Sequence, residues 1–243
     1  GNQTLNGGPD NDVLQSLQST ATGVLSGDDG ADILAGWANL NGGAGDDILQ
    51  TMSTTVTLDG GPGTDICRTP NLAKATSTCE TKVLTTTGGA APTLTITSGP
   101  AENGTIASST ANITFTKTNA SVVYCATDSG AISICTSGSY TANGLSAGRH
   151  TILVVALPAG AAVPAVVVRH FTVTDSTPPV VVVPSPGPIE ATGPNGATAS
   201  FGVTATDNID GALTPSCTPA SGTIFAIATT SVTCTATDSA GNV

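Results

Sequence analysis

Glycines and aspartates recur together four times in the first 68 residues, at a spacing that suits the coordination of a metal ion by oxygen. The four segments are GGPDNDVLQ (7–15), GDDGADILA (27–35), GGAGDDILQ (42–50) and GGPGTDICR (60–68). Each has an aspartate at its sixth position. Glycine allows turns that point backbone carbonyls inward, and calcium takes about six to eight carboxylate and carbonyl oxygens. The pattern therefore predicts calcium-binding turns.

The predicted ligands are the glycines and aspartates of these turns. They are Gly7, Asp10, Asp12, Gly27, Asp28, Asp29, Gly30, Asp32, Gly42, Gly43, Gly45, Asp46, Asp47, Gly60, Gly61, Gly63 and Asp65. The sixth-position aspartates are 20, 15 and 18 residues apart, and the links between them lack the motif. In the link 51–59, Val56 stands where an aspartate would be. We therefore expect calcium turns along one edge of the folded segment and ordinary loops along the other.

The eighth position of each segment predicts how the turns are held. Leu14, Leu34 and Leu49 occupy it in the first three segments and Cys67 in the fourth. This pattern, G-G-x-G-x-D-x-U-x with U aliphatic, resembles the calcium-binding RTX repeat, which implies a parallel β-roll with these side chains in a thin core. Nine aspartates and no Lys or Arg lie within residues 1–67, so we expect folding to be coupled to calcium. Two alternatives are a flexible acidic linker and a roll whose degenerate sites bind no ion.

Composition excludes several classes of protein. The net charge is −11 and only six residues are basic, so no basic patch is available for nucleic acid. Charged residues are 9% and aromatics 3%, a mixture that favours strands and turns over amphipathic helices. No apolar run approaches the length of a membrane span.

The six cysteines fall into three local pairs: Cys67 with Cys79, Cys125 with Cys135, and Cys217 with Cys234. No C-x-x-C motif occurs, and no histidine lies near a cysteine, so a zinc site is not expected. The spacing favours local disulfides among the fifteen or so pairings that six cysteines allow. Disulfides imply an oxidising, extracellular location. The first would close a cap at the end of the roll.

Two further segments carry strand patterns. Residues 92–175 alternate apolar and polar residues between turns and resemble the immunoglobulin-like modules of bacterial surface proteins. Residues 177–243, with Glu190-Ala191, Cys217 and Cys234-Thr235-Ala236-Thr237-Asp238, closely resemble the HYR (hyalin repeat) module. We therefore expect an all-β chain, with a capped roll over 1–84, a linker over 85–91 and two immunoglobulin-like sandwiches. The resemblance implies that the last sandwich lacks its final strand.

Few residues outside the roll suggest chemistry. Asp207, Asp210 and Asp238 lie in predicted loops of the third segment, and Asp175 precedes it. They would bind calcium near a domain junction or form Asx turns, and we favour the turns. His150 and His170 each follow an arginine in a strand-like context. No G-x-S-x-G or H-E-x-x-H motif occurs, so we do not expect an enzyme.

These observations predict a calcium-binding, non-catalytic, structural or adhesive module of a bacterial surface or secreted protein. Its expected partners are calcium ions, a protein or glycan ligand on a cell surface, and like subunits. Two alternatives are the accessory C-terminal region of a secreted enzyme and the subunit of an extracellular filament assembled by strand complementation.

Overall fold

The chain consists of β-strands joined by turns. The computed structural model describes residues 2–17, 19 and 22–243. Strands make up 50% of the chain, and no α-helix occurs in the part that the structure describes. A single 3-10 turn spans Leu72–Lys74. The prediction of an all-β fold is confirmed.

The first 84 residues wind into a β-solenoid of about four turns. One parallel sheet contains β1 (Asn2–Gly8), β3 (Thr22–Asp29), β5 (Asn39–Ala44) and β7 (Leu58–Asp59). The other contains β2 (Val13–Gln15), β4 (Ile33–Gly36), β6 (Ile48–Thr51), β8 (Ile66–Thr69) and β9 (Thr81–Leu84). Up to β8, consecutive strands alternate between the sheets, and each glycine-rich turn leads from the first sheet into the second. The glycine-rich turns therefore stack along one edge, as the sequence predicts.

The eighth-position residues form one wall of the solenoid core. Leu14, Leu34, Leu49 and Cys67 are paired in register along the second sheet. They belong to a buried cluster with Leu25, Leu40 and Leu58 of the first sheet. Because residues of the two sheets meet in this cluster, the apolar core continues from coil to coil. Their predicted position in the core is confirmed.

The end of the solenoid is closed by residues 75–84. The Cys67–Cys79 disulfide joins this segment to the core. The Thr76 amide donates to the Leu58 carbonyl (2.9 Å), and β9 pairs with β8. These bonds satisfy backbone groups that the edge of a sheet would otherwise expose. The segment therefore covers the last coil of the solenoid.

The strands that follow form two further sheets. The three-stranded sheet has the order β10 (Thr93–Ser98), β12 (Ala111–Thr118), β15 (Ser139–Ala142). The five-stranded sheet has the order β11 (Gly104–Ile106), β17 (Ala165–Val173), β16 (Gly148–Pro158), β13 (Ala120–Thr127), β14 (Ser133–Ile134). Clustering of contacts gives one compact unit of residues 1–104, 112–142 and 150–171, and a second of residues 105–111, 143–149 and 172–243.

Within the first unit, the outer face of the solenoid packs against the five-stranded sheet. Ile33 and Ile48, one position before the core leucines, form a buried cluster with Tyr124, Val155 and Leu157. This apolar contact makes the solenoid and these strands one packed body.

Polar contacts join the same two parts of the first unit. The buried Arg68 side chain donates to Gln50 Oε1 (3.0 Å), Ser121 Oγ (3.1 Å) and the Pro158 carbonyl (2.8 Å). The segment 85–91, interpreted from the sequence as a linker, also lies against these strands, because the Thr86 carbonyl accepts the Ala161 amide (2.8 Å).

The second unit holds three small antiparallel sheets. They are formed by β18 (Val180–Val182), β20 (Thr204–Asp207) and β21 (Gly211–Leu213), by β19 (Ala197–Ala199) and β23 (Thr223–Phe225), and by β22 (Ser216–Thr218) and β24 (Thr233–Thr235). The Cys217–Cys234 disulfide joins directly paired residues of β22 and β24. The strands of the second unit are short, so the turns between them make up much of this unit.

Candidate metal centre

The four sixth-position aspartates are stacked along the edge of the solenoid that carries the glycine turns. We call this row of Asp12, Asp32, Asp47 and Asp65 the aspartate ladder. The amide of each of the first three donates to Oδ1 of the next, over distances of 2.7, 2.8 and 2.8 Å. Because each aspartate directly precedes a strand of the second sheet, the parallel register of that sheet places them one above another. The repeat therefore builds the row that its spacing predicts.

The last three carboxylates of the ladder each have one oxygen without a hydrogen-bond donor among the described residues. Asp32, Asp47 and Asp65 are fully buried, and their Oδ2 atoms accept no hydrogen bond within the described part of the chain. An ionised carboxylate buried in this way loses hydration without compensation. Such an oxygen is stabilised by a proton or by a cation.

The first glycine of each turn lies directly against these free oxygens. A Cβ on Gly27 would lie under 3.0 Å from Asp32 Oδ2 and from the Gly42 carbonyl oxygen. A Cβ on Gly42 would meet Asp47 Oδ2 and the Gly60 carbonyl oxygen in the same way. At each point a carboxylate oxygen and a carbonyl oxygen of the next coil therefore approach each other. Glycine is required there for space, and the converging oxygens are the kind that calcium binds.

Burial raises the pKa values of the ladder carboxyls. Desolvation is the largest cause for Asp47, whose pKa is raised from 3.8 to about 7, with the charges of Asp32, Asp65 and Asp46 contributing. Desolvation likewise raises the pKa of Asp32 to about 6. The hydrogen bond that each Oδ1 accepts from a backbone amide lowers the pKa, but this effect is smaller than the effect of burial. Ionising these buried carboxyls therefore has an energetic cost, which a bound cation would offset.

The remaining predicted ligands lie in the same turns but in more open positions. Asp10, Asp29 and Asp46 are exposed, whereas Asp28 is half-buried and its Oδ1 accepts from Ser26 Oγ (2.7 Å). Of the other predicted glycines, Gly7 and Gly43 lie near the ends of β1 and β5, and the rest lie in the turns that follow the strands of the first sheet, namely Gly30, Gly45, Gly60, Gly61 and Gly63. Of these, Gly43 has a φ of 107° and its α-carbon packs on the Asp28 carbonyl of the previous coil, so the close stacking of turns depends on glycine here.

One residue of the site was not anticipated from the sequence. Glu80 extends the ladder into the cap, because the Asp65 amide donates to Glu80 Oε2 (2.7 Å). Thr81 pairs with Ile66, so Glu80 takes the place of a ladder aspartate. The signal for it was the separation of 15 residues from Asp65, the same as between Asp32 and Asp47.

The ladder offers oxygen ligands in a row. Among the described residues, no three carboxylates of the solenoid come within 4.8 Å of one another. A cation there would be held by carboxylate and carbonyl oxygens of successive coils. Hard oxygen donors with no nitrogen or sulfur select calcium or magnesium over zinc or copper. The buried, unpartnered Oδ2 atoms fit such an ion.

Each histidine lies on a strand, with one ring nitrogen at hydrogen-bond distance from a carboxylate. Nδ1 of His150 lies 2.7 Å from Asp128 Oδ2, and Nδ1 of His170 lies 2.8 Å from Glu102 Oε1. His150 also lies 5.8 Å from the ring of Phe171. These contacts account for the positions of both side chains.

The three disulfides join Cys67 to Cys79, Cys125 to Cys135 and Cys217 to Cys234, the local pairs that the spacing favours. They indicate an oxidising, extracellular environment. Among the described residues, no helix has the length and apolar character needed to cross a membrane. Comparison of the chain with protein-family models, with curated proteins and with solved structures gives no match.

Proposed function

We propose that this protein is a calcium-binding structural module of a secreted or surface-attached protein, and that it is not an enzyme. One observation carries the proposal: three stacked, fully buried aspartates each have an oxygen that accepts no hydrogen bond from any residue that the structure describes. Calcium bound between successive turns supplies the missing partner for these oxygens. The resemblance of the turns to RTX repeats supports the same conclusion.

Calcium in this account is part of the fold. The solenoid core is one row of side chains, and the turn edge brings buried carboxylates together without a basic residue in residues 1–67. A ligand that binds only the folded chain stabilises it in proportion to the logarithm of its concentration. Outside the cell calcium is plentiful, so the solenoid becomes rigid there.

The rigid solenoid stabilises the strands that follow, because the two parts share an apolar core. The cluster of Ile33, Ile48, Tyr124, Val155 and Leu157 joins the two parts of the first unit. We propose that residues 92–175 and 177–243 are immunoglobulin-like modules, the second of the HYR type. On the strength of that resemblance, the whole chain acts as a disulfide-stabilised stalk or display module in adhesion.

Calcium binding by the full chain tests the metal-binding part of the proposal. Chelator-treated protein is titrated with calcium chloride in a calorimeter, beside the double variant Asp32→Asn/Asp47→Asn and the matched variant Asp59→Asn/Glu190→Gln, whose carboxylates are exposed and are not among the predicted ligands. We expect the ladder variant to bind fewer ions and the exposed variant to bind at least most of them. Equal binding by wild type and ladder variant would contradict the proposal.

The adhesive part of the proposal needs a separate test. Beads coated with the full chain are applied to cell surfaces in calcium and in chelator. Calcium-dependent attachment that is lost in the ladder variant is the expected result. Attachment equal to that of uncoated beads in both conditions would contradict an adhesive role and leave only a structural one.

A further inference from the structure

The last coil of the solenoid is covered by residues 75–84, the cap, and not by another glycine turn. Between the coils, Oδ2 of Asp32 and Oδ2 of Asp47 each lie beside a glycine that a carbonyl oxygen of the next turn also approaches. Residues 66–87 contain no glycine, so no such turn follows Asp65. Any oxygen that completes a site beyond Asp65 therefore comes from the cap.

One oxygen of Asp65 has no partner in this part of the solenoid. Asp65 is fully buried, and its Oδ2 accepts no hydrogen bond from the residues that the structure describes. Burial is the largest cause that raises the pKa of this carboxyl, and the charge of Glu80 contributes. Among the described residues, neither Lys74 nor Lys82 forms an ion pair with a carboxylate, and Nζ of Lys82 donates to the Ala75 carbonyl (3.1 Å). Ionised Asp65 therefore lacks a counter-charge.

The cap places two side-chain oxygens beside the same turn. Glu80 Oε2 accepts the Asp65 amide (2.7 Å). Thr78 Oγ1 accepts the amide of Gly60 (3.0 Å), and a Cβ on Gly60 would lie under 3.0 Å from Asp65 Oδ2. A carboxylate and a hydroxyl of the cap therefore contact the two residues that border the free oxygen. Hard oxygen donors of these kinds suit calcium.

The Cys67–Cys79 disulfide holds these two parts together. Cys79 lies between Thr78 and Glu80 in the sequence, and Cys67 lies two residues after Asp65. The bond therefore ties the strand that follows Asp65 to the segment that carries both cap oxygens. Cys67 and Cys79 are 0% and 3% exposed, so a reductant in solution reaches the sulfurs only when the cap opens.

We propose that Asp65 and Glu80 bind a calcium ion at the end of the solenoid, with Thr78 supplying a further oxygen, and that the Cys67–Cys79 disulfide keeps this site assembled. The inference rests on the proposed function, because it requires that the ladder binds calcium. It adds a ligand from the cap and links calcium affinity to the oxidised state of one disulfide. The terminal site then forms where calcium is present and the environment is oxidising, as it is outside the cell.

The link between the ion and the disulfide works in both directions. Calcium binds when the cap is closed, so it lowers the population of molecules in which the cap is open. The disulfide restricts the open state, so its loss weakens calcium binding. Two equilibria coupled in this way change each other by the same factor, which is about 5- to 150-fold in typical cases.

Rates of disulfide reduction in the full chain test one direction. Dithiothreitol is added in calcium chloride or in chelator, and the new thiols are alkylated at each time and located by peptide mass spectrometry. Each reduction transfers two electrons and two protons from dithiothreitol, which becomes a cyclic disulfide, to the two cysteine sulfurs. We expect calcium to slow the reduction of Cys67–Cys79 about tenfold. Cys217–Cys234, in the second unit, supplies the reference rate in each buffer.

Glu80→Gln separates the terminal site from the other turns. The variant keeps an oxygen that accepts the Asp65 amide and removes only the charge. The other turns still bind calcium in this variant, so a general effect of calcium on the solenoid persists. We expect most of the protection of Cys67–Cys79 by calcium to disappear. Glu190→Gln, which removes an exposed carboxylate from the second unit, should keep the full protection.

Calorimetry with calcium chloride tests the other direction. Cys67→Ala/Cys79→Ala should bind one ion about tenfold more weakly than wild type does. Cys217→Ala/Cys234→Ala is the matched control, and its calcium binding should equal that of wild type. If circular dichroism shows that the first variant does not fold, the reduction rates of the wild-type chain decide the matter.

The inference and the proposed function fail in different ways in this design. Reduction of Cys67–Cys79 at equal rates with and without calcium would overturn the inference, and so would equal protection in wild type and Glu80→Gln. Calcium binding that is lost in Asp32→Asn/Asp47→Asn would still leave the proposed function standing. A wild-type chain that binds no calcium would contradict both.

Discussion

The backbone amide of Asp32 donates a 2.8 Å hydrogen bond to Oδ1 of Asp47, while Oδ2 of Asp47 is buried and accepts no hydrogen bond from the described residues. The same relationship joins Asp47 to Asp65. One oxygen of each carboxylate therefore fixes the spacing of the coils, and the other faces the point where a carbonyl of the next coil approaches. A single side chain both stacks the turns and supplies a ligand.

The first prediction concerns pH in the presence of chelator. The pKa values of Asp32 and Asp47 are raised in the folded chain to about 6 and about 7, above the value of 3.8 expected when unfolded. A raised pKa means that the folded state binds more protons, so stability is present at low pH and is lost as pH rises. We expect the melting temperature to fall between pH 4 and 7, as followed by circular dichroism.

Saturating calcium should change that profile. The ion binds the deprotonated carboxylates and competes with protons, so calcium affinity should rise over the same pH range. With calcium present, the melting temperature should no longer fall towards neutral pH. A decline of equal size with and without calcium would show that the ladder does not bind the ion.

The second prediction compares two adjacent aspartates. Asp47→Asn removes a buried charge, so in chelator we expect unchanged or higher stability. In calcium the gain in melting temperature should be smaller than in wild type, because a ligand is lost. Asp46→Asn is the matched control, since Asp46 is exposed and its Oδ1 also accepts an amide of the next coil, from Thr64 (2.9 Å). Similar thermal shifts in both variants would contradict a special role for the buried residue.

The third prediction concerns the space beside the ladder. A Cβ on Gly42 would lie under 3.0 Å from Asp47 Oδ2 and from the Gly60 carbonyl. Gly42→Ala should lower the free energy of unfolding by about 1–3 kcal/mol, the usual cost of overpacking, and should weaken calcium binding. Gly187→Ala is the control, because a Cβ there meets nothing within 4 Å. Denaturant unfolding that does not distinguish the two variants would contradict the packing described for the turns.

The fourth prediction concerns the contact between the solenoid and the following strands. Leu157 is fully buried in the cluster with Ile33 and Ile48, so Leu157→Ala should cost about 2–5 kcal/mol. Because the two parts share this core, the loss should appear in hydrogen exchange of the solenoid amides as well as in that of β16. Val168→Ala, at a residue 40% exposed on β17, should have little effect. Exchange that changes only in β16 would mean that the parts unfold separately.

Much of the solenoid could be predicted from the repeat, because the same nine-residue pattern places both the aspartates of the turns and the aliphatic residues of the core. An aspartate at position six and an aliphatic residue at position eight define both the ladder and the core row. The outer contacts were harder to predict. Ile33 and Ile48 look like ordinary strand residues, and only the folded chain reveals that Tyr124 and Leu157 cover them.

Two other features depended on relationships that the sequence alone does not display. Glu80 is not preceded by glycines, so it enters the ladder through the register of β9. The carboxylates of Asp207 and Asp238 lie within 4.8 Å of that of Asp175, although they are far from it in sequence, and a local motif does not show such a contact. The Asx turn favoured at Asp207 is present, because its Oδ1 accepts the Ile209 amide (2.7 Å).

The most direct test of the central claim is a crystal structure of the full chain grown in calcium chloride, with anomalous diffraction data. Our account predicts anomalous peaks in the glycine turns, at about 2.3–2.6 Å from Oδ2 of Asp32 and Asp47. A well-ordered solenoid without such peaks, in which those oxygens carry protons or contact water, would contradict it.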